Sequence, residues 1–272
     1  MNRIDQTLAR KQASGQKILS PYITAGDPEP GLTVSLMHAL VAAGADVLEL
    51  GIPFSDPMAE GPVIQAAMER ALAYKVSCND VLGMVRTFRE QDNTTPIVIM
   101  GYLNPIEQYG YQRFAQQAAL SGVDGTIIVD LPPEESQDVV AIWQTAGLHS
   151  IYLCSPTTTD ARMNLIKEYG SGYLYYVSLK GVTGADSFDL SAVQAQYQQR
   201  KTQTNLPVMV GFGIKTAEMA ANVARFADGV IVGAALINQI LQAYNDNKDT
   251  MHAGASLISA MRHAMDTNGT TS

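Results

Sequence analysis

Short apolar runs that recur between amphipathic segments constrain the fold of this chain more than any other feature of its sequence. There are eight such runs, rich in Val and Ile, and most of them do not alternate with polar residues. Strands that are covered on both faces of a parallel sheet have this pattern. The predicted strands are 18–24, 47–51, 97–102, 125–129, 150–154, 173–178, 208–212 and 229–233.

Helix-like segments separate these strands, for example 32–43, 63–73, 113–120 and 136–145. Eight strand–helix units in 272 residues predict a (β/α)8 TIM barrel. A doubly wound sheet is disfavoured because no Gly-x-Gly-x-x-Gly motif follows the first strand. The pattern predicts a single domain spanning 1–272. It also predicts an extra N-terminal helix at 2–14, which closes the bottom of the barrel, and an extra C-terminal helix at 251–265. A disordered tail is predicted at 267–272.

Composition argues against several classes of partner. The chain has 18 basic and 26 acidic residues and a formal net charge of −8, which argues against nucleic acid or an anionic membrane surface. No segment approaches the roughly 20 apolar residues of a membrane span, and the first residues lack the apolar core of a signal peptide. Cys78 and Cys154 have neither metal-ligand nor redox spacing. These features predict a cytoplasmic protein with free thiols and no metal site.

A carboxylate inside the second apolar run is the first candidate for chemistry. Glu49 is flanked by leucines, and strand alternation places those leucines towards the helices and Glu49 inside the barrel. The loop that follows adds Asp56 and Glu60. A carboxyl group buried at a barrel mouth is a candidate acid–base. The alternative is a structural role in which Glu49 pairs with a tyrosine hydroxyl such as that of Tyr175.

The carboxyl ends of the strands, where barrel enzymes place their active sites, provide the remaining candidates. None of the four histidines falls at such an end, so proton transfer must depend on carboxylates supported by tyrosine. The predicted substrate contacts at these ends are Tyr22, Tyr102, Tyr175, Thr183 and Phe212.

Small residues after the seventh and eighth strands predict a phosphate site. Gly213 lets the backbone approach a ligand, and Gly233 and Ala234 open a helix whose first amides are free to bind an anion. Gly184 is a further predicted contact, and Lys215 is the one cation nearby. For either motif alone, the glycines could simply serve tight turns.

Four motifs together resemble the tryptophan synthase alpha subunit family. They are Leu-Glu-Leu-Gly-Ile-Pro-Phe-Ser-Asp-Pro at 48–57, Met-Gly-Tyr-Leu-Asn-Pro at 100–105, Gly-Val-Thr-Gly at 181–184 and Gly-Phe-Gly-Ile at 211–214. The resemblance covers residues 1–266 and implies retro-aldol cleavage of indole-3-glycerol phosphate to indole and glyceraldehyde 3-phosphate.

The resemblance also implies roles for individual residues. Glu49 would be the general acid–base, and Glu60 would accept a hydrogen bond from the indole N–H. Tyr175 would help to set the environment of Glu49, and Thr183 would belong to a loop that closes over the substrate. The sequence departs from the family in two places, because Glu60 stands where Asp is common and Ala234 stands where Ser is common.

Members of this family work with a beta subunit in an αββα complex, which implies a protein partner. The resemblance places Pro53, Asp56 and Asn104 at that interface. No cofactor is expected in this chain, and pyridoxal phosphate is expected only in the beta subunit. The sequence leaves two alternative functions. One is a Schiff-base aldolase that uses Lys180, and the other is a non-catalytic barrel that binds and activates the beta subunit.

Overall fold

The computed structural model describes residues 1–177, 190–211 and 213–268. The strands in this part of the chain are β1 (Ile18–Thr24), β2 (Leu48–Gly51), β3 (Ile97–Gly101), β4 (Gly125–Ile128), β5 (His149–Ser150), β6 (Tyr152–Cys154), β7 (Leu174–Val177), β8 (Val208–Gly211) and β9 (Gly229–Val232). The helices are α1 (Arg3–Ala13), α2 (Thr33–Ala42), α3 (Pro62–Ala73), α4 (Cys78–Arg89), α5 (Leu103–Tyr109), α6 (Tyr111–Ser121), α7 (Gln137–Thr145), α8 (Asp160–Tyr169), α9 (Leu190–Lys201), α10 (Ala217–Ala224), α11 (Ala234–Asn245) and α12 (Thr250–Asn268).

The strands form one parallel sheet in the order β5-β4-β3-β2-β1-β9-β8-β7-β6. The predicted fifth strand is divided into β5 and β6 at Ile151, whose side chain packs into the barrel interior. Its N–H still bonds to the carbonyl of Thr126 in the neighbouring strand, at 2.9 Å. The two short strands therefore complete the ring of eight, and the predicted (β/α)8 barrel is confirmed.

Side chains alternate between two cores, as expected for strands buried on both faces. Leu48 and Leu50 belong to the large cluster that packs between the sheet and the helices. Val47 belongs to the smaller cluster inside the barrel. Glu49, which shares the inward face with Val47, is fully buried there.

The additional helices lie outside the βα repeat. Helix α1 inserts Ile4 into the interior cluster, and Asn2 caps the helix by accepting the N–H of Ile4 at 2.9 Å. The predicted closure of the barrel bottom is therefore present. Helix α12 is longer than predicted, and in its last turn Thr267 donates its hydroxyl to the carbonyl of His263 at 2.9 Å. The expected tail is thus corrected at residues 267 and 268, which are helical.

Three aspartates connect neighbouring strands at the bottom of the barrel. Asp124 and Asp228 lie directly before β4 and β9, and Asp46 lies just before β2. Each donates its own N–H to the carbonyl of a residue at the start of the adjacent strand and accepts the N–H of that same residue. The accepted N–H groups belong to Leu19 at 3.0 Å, Ile97 at 2.9 Å and Val208 at 2.7 Å.

No helix in the described residues is long and apolar enough to cross a membrane.

Candidate active site

A cavity of about 500 Å³ opens among the carboxyl ends of the strands. Its volume lies in the range typical of small-molecule sites. The described residues that line it are Tyr22, Glu49, Glu60, Gly61, Pro62, Val63, Ile64, Met100, Tyr175, Gly213, Ile214, Lys215, Ile231, Gly233, Ala234, Ala235 and Asn238. Barrel enzymes bind their substrates at this end, so this cavity is the candidate active site.

Glu49 reaches the cavity from β2 and is held from within the barrel. Its Oε1 accepts hydrogen bonds from the hydroxyls of Tyr173 at 2.8 Å and Ser20 at 3.3 Å. Burial raises the pKa of Glu49 to about 7, against the opposing effect of these two hydrogen bonds. A carboxyl group with a pKa near neutrality can both accept and donate a proton at physiological pH.

Glu60 reaches the same cavity from the loop between β2 and α3, and its backbone is fixed on both sides. The N–H of Ala59 donates to the hydroxyl of Tyr102 at 3.1 Å, and the side-chain amide of Gln65 donates to the carbonyl of Glu60 at 2.9 Å. Burial raises the pKa of Glu60 to about 7. The cavity therefore holds two carboxyl groups that change charge in the same pH range.

Two tyrosine rings stand beside the carboxyl groups because strand glycines leave room for them. A Cβ at Gly51 would lie 2.1 Å from the hydroxyl oxygen of Tyr22, and a Cβ at Gly211 would lie 2.2 Å from that of Tyr175. Any larger residue would displace a ring from the cavity wall. Burial raises the pKa of both hydroxyls, so each remains a neutral hydrogen-bonding group.

Helix α11 begins on the cavity wall, where a free helix N-terminus is the kind of group that binds anions. Gly233 precedes its first residue, Ala234, and the N–H groups of the first turn have no partner within the helix. Gly213 adopts a φ of 77° on the same wall. Lys215 is the single basic side chain among the described residues that line the cavity.

The structure brings together most of the predicted site residues. Glu49, Glu60, Tyr22 and Tyr175 line one cavity with the predicted phosphate contacts Gly213, Gly233 and Ala234. Tyr102 is not among the lining residues, and its ring stacks on Phe54 with centroids 5.2 Å apart. The predictions for Thr183, Gly184 and Phe212, and the alternative at Lys180, lie outside the described residues.

Sequence analysis missed four polar residues of the site, besides several apolar residues of the cavity wall. Ser20 and Tyr173 bind Glu49, Gln65 supports Glu60, and Asn238 lines the cavity. Strand alternation offers a signal for two of them. Ser20 shares a strand face with Tyr22, and Tyr173 shares one with Tyr175, and both of those tyrosines are predicted substrate contacts. No comparable local signal marks Gln65 or Asn238.

The histidines lie where the sequence places them, away from this cavity. His149 contacts Asp5 of α1 at the barrel bottom, with 3.0 Å between Nε2 and Oδ1. His38 stacks on Phe88 in the helix layer, with ring centroids 4.5 Å apart. The candidate proton-transfer groups in the described part of the cavity are therefore carboxyl groups, tyrosine hydroxyls and the amine of Lys215.

The barrel and its cavity define an enzyme of the (β/α)8 class whose cavity holds two carboxyl groups and the N-terminus of a helix. A family model described as "Tryptophan synthase alpha chain" matches residues 8–266. The chain belongs to the tryptophan synthase alpha chain family.

Individual relatives agree with the family model. The tryptophan synthase alpha chain of Legionella pneumophila (strain Corby) is 68% identical over 269 residues, which cover 99% of each chain. That of Thioalkalivibrio sulfidiphilus (strain HL-EbGR7) is 53% identical over 266 residues, which cover 98% of this chain and 100% of the relative. The crystal structure of tryptophan synthase subunit alpha from Legionella pneumophila str. Paris superposes with a TM-score of 0.95 at 65% identity, covering 98% of this chain and 99% of that one.

Proposed function

We propose that Glu49 and Glu60 together perform the acid–base and electrostatic steps of the reaction of this family. The chain is a lyase of tryptophan biosynthesis that cleaves indole-3-glycerol phosphate to indole and glyceraldehyde 3-phosphate. The observation that carries the proposal is the placement of both carboxyl groups in one cavity with the N-terminus of α11.

Cleavage breaks the bond between C3 of the indole ring and the glycerol carbon that carries the hydroxyl. In the same reaction a proton must move from that hydroxyl to C3 of the ring. In the proposal, ionised Glu49 removes the hydroxyl proton and donates a proton to the ring carbon. The bonding electrons return to the ring when the carbon–carbon bond breaks, and a carbonyl forms on the departing glyceraldehyde 3-phosphate. A pKa of about 7 suits a group that must alternate between acid and base.

Glu60 stabilises the positive charge that develops on the protonated ring. Its carboxylate accepts the indole N–H, so attraction increases as the ring approaches the transition state. Glutamate is one methylene longer than aspartate, and the hydrogen bonds from Ala59 and Gln65 fix the loop from which it extends. Tyr22 and Tyr175 complete the cavity wall around the ring.

The phosphate group binds at the wall formed by Gly213, Gly233 and Ala234. Backbone N–H groups supply most of the binding, and Lys215 adds a positive charge. Ala234 offers no hydroxyl, which removes a contact worth about 1 kcal/mol. Thr183, Gly184 and Phe212 are proposed as further contacts from outside the described residues.

A beta subunit is the proposed partner, in an αββα complex. Asp56 and Asn104 are exposed and available to it, whereas Pro53 is buried in the isolated chain. Pyridoxal phosphate belongs to the beta subunit in this family. The proposed compartment is the cytoplasm, because Cys78 and Cys154 are both buried free thiols.

Indole release measured on three variants tests this assignment. We expect Glu49→Gln to abolish release, because glutamine cannot exchange a proton. Glu60→Asp should retain activity within about tenfold, since charge and acceptor are kept, whereas Glu60→Ala should lose about 10²-fold to 10³-fold. Each variant is assayed with indole-3-glycerol phosphate and a beta subunit.

Two results would contradict the assignment. Full turnover by Glu60→Ala would show that the loop carboxylate has no catalytic role. A covalent adduct trapped by borohydride in the presence of substrate would favour the Schiff-base alternative at Lys180, and Lys180→Arg is its control.

A further inference from the structure

The two oxygens of the Glu49 carboxyl group have different surroundings. Oε1 accepts both hydroxyl groups described above, at 2.8 Å from Tyr173 and 3.3 Å from Ser20. Oε2 is buried and has no hydrogen-bond partner among the described residues. The structure therefore distinguishes an oxygen that two hydroxyl groups hold from an oxygen that no described group binds.

Ser20 approaches Glu49 from the closed side of the barrel. It shares the inward face of β1 with Tyr22, which is paired with Glu49 in the register of β1 and β2. Ser20 lies two residues nearer the bottom than Tyr22, is fully buried, and is not among the residues that line the cavity. A substrate in the cavity would thus meet Glu49 without meeting Ser20.

We propose that Ser20 is a positioning residue for Glu49, which holds Oε1 together with Tyr173 so that Oε2 carries the transferred proton. This inference rests on the proposed role of Glu49 as the proton carrier. Tyr173 lies directly before β7, across the barrel from β2, so the two hydroxyls constrain the carboxyl group from different sides of the barrel.

The hydrogen bond from Ser20 also affects the charge of Glu49. A donor to the carboxylate favours its ionised form, so this contact lowers the pKa of Glu49 and opposes the effect of burial. The other polar groups that face Glu49 are the hydroxyls of Tyr22, Tyr173 and Tyr175 and the carboxyl group of Glu60. Of these, only Tyr173 stabilises the ionised form by a hydrogen bond of its own.

Ser20→Ala tests the inference with two readouts. The first readout is the titration of the side-chain carboxyl carbon of Glu49, followed by NMR; its signal is assigned by its absence in Glu49→Gln. In Ser20→Ala the midpoint of this titration should lie about one pH unit higher than in the wild-type chain. In the indole-release assay at pH 7, kcat should fall about tenfold while KM changes less than twofold. Ser20→Thr, which keeps the hydroxyl, should restore both values.

Ser150→Ala is the matched control, because Ser150 is also buried in a barrel strand but its hydroxyl has no hydrogen-bond partner in the part of the chain that the structure describes. Its titration and kcat should equal those of the wild type. Tyr173→Phe removes the second donor and should shift the titration in the same direction as Ser20→Ala.

An active wild-type enzyme whose Ser20→Ala variant shows neither the titration shift nor the fall in kcat would overturn the positioning role of Ser20 alone. Failure of the wild-type chain to release indole would instead overturn the proposed function.

Discussion

The buried carboxyl group of Glu49 couples the chemistry of the cavity to the stability of the barrel. Burial raises its pKa from the ordinary 4.5 to about 7. Between these two values the folded protein retains a proton that the unfolded chain has released. The contribution of Glu49 to folding stability is therefore largest below pH 4.5 and is lost as the pH rises towards and through 7.

Glu49→Gln should accordingly stabilise the protein at high pH. Glutamine keeps the shape of the side chain but has no charge to bury, so the gain over the wild type should be about 2 kcal/mol larger at pH 8 than at pH 5. Urea unfolding of both proteins at the two pH values measures this difference. Equal gains at pH 5 and pH 8 would show that Glu49 titrates alike in the folded and unfolded chains.

Strands in this barrel are joined at their N-terminal ends by aspartates that differ in burial. Asp124 is 2% exposed in its side chain and pairs with Arg89 and Arg3, each at 2.9 Å. Asp228 makes the same backbone contacts, but its side chain is 33% exposed and it pairs with Lys201 at 2.6 Å. The same arrangement therefore occurs in two electrostatic environments, which permits a direct comparison.

Asp124→Ala should cost much more stability than Asp228→Ala. Removing Asp124 leaves the mostly buried guanidinium of Arg89 without its carboxylate and the N–H of Ile97 without its acceptor, which costs about 3–5 kcal/mol. The exposed pair at Asp228 is screened by solvent, so we expect about 1–2 kcal/mol there. Chemical denaturation measures both values, and equal losses would contradict the explanation from burial.

The molecule as a whole has two different ends. Helix α1 closes the bottom, while the cavity and the loops that carry Asp56 and Asn104 occupy the other end. A large apolar side chain is exposed in the loop after β2, where Met58 is 84% exposed. Leu120 is 78% exposed near the end of α6, next to the start of β4 at the bottom.

These two residues provide a matched test of where the beta subunit binds. A half-saturating amount of beta subunit is added, and its stimulation of indole release is measured. We expect Met58→Asp to reduce this stimulation about tenfold, because the variant introduces a charge at the proposed interface. Leu120→Asp makes the same change at the other end and should leave the stimulation unchanged. A larger effect from Leu120→Asp would place the partner at the bottom of the barrel.

Much of the architecture follows from local sequence. Alternation within 47–51 is sufficient to direct Glu49 inwards, because successive side chains of a strand point to opposite faces whatever the rest of the chain does. Likewise, Gly233 and Ala234 predict free amides at the start of α11, since the first turn of any helix lacks internal partners. These conclusions depend on covalent geometry and on near neighbours in the chain.

The sequence by itself therefore determined the repeat, the inward direction of Glu49 and the presence of Glu60 in the adjoining loop. Only the tertiary structure decided that Ser20 and Tyr173 share one oxygen of Glu49 and that Gln65 and Tyr102 fix the loop of Glu60. Tyr173 is 124 residues from Glu49 and meets it across the closed barrel. Such a contact depends on the stagger of the strands and on closure of the barrel. Burial of the whole core determines both, so they cannot be predicted from a local sequence pattern.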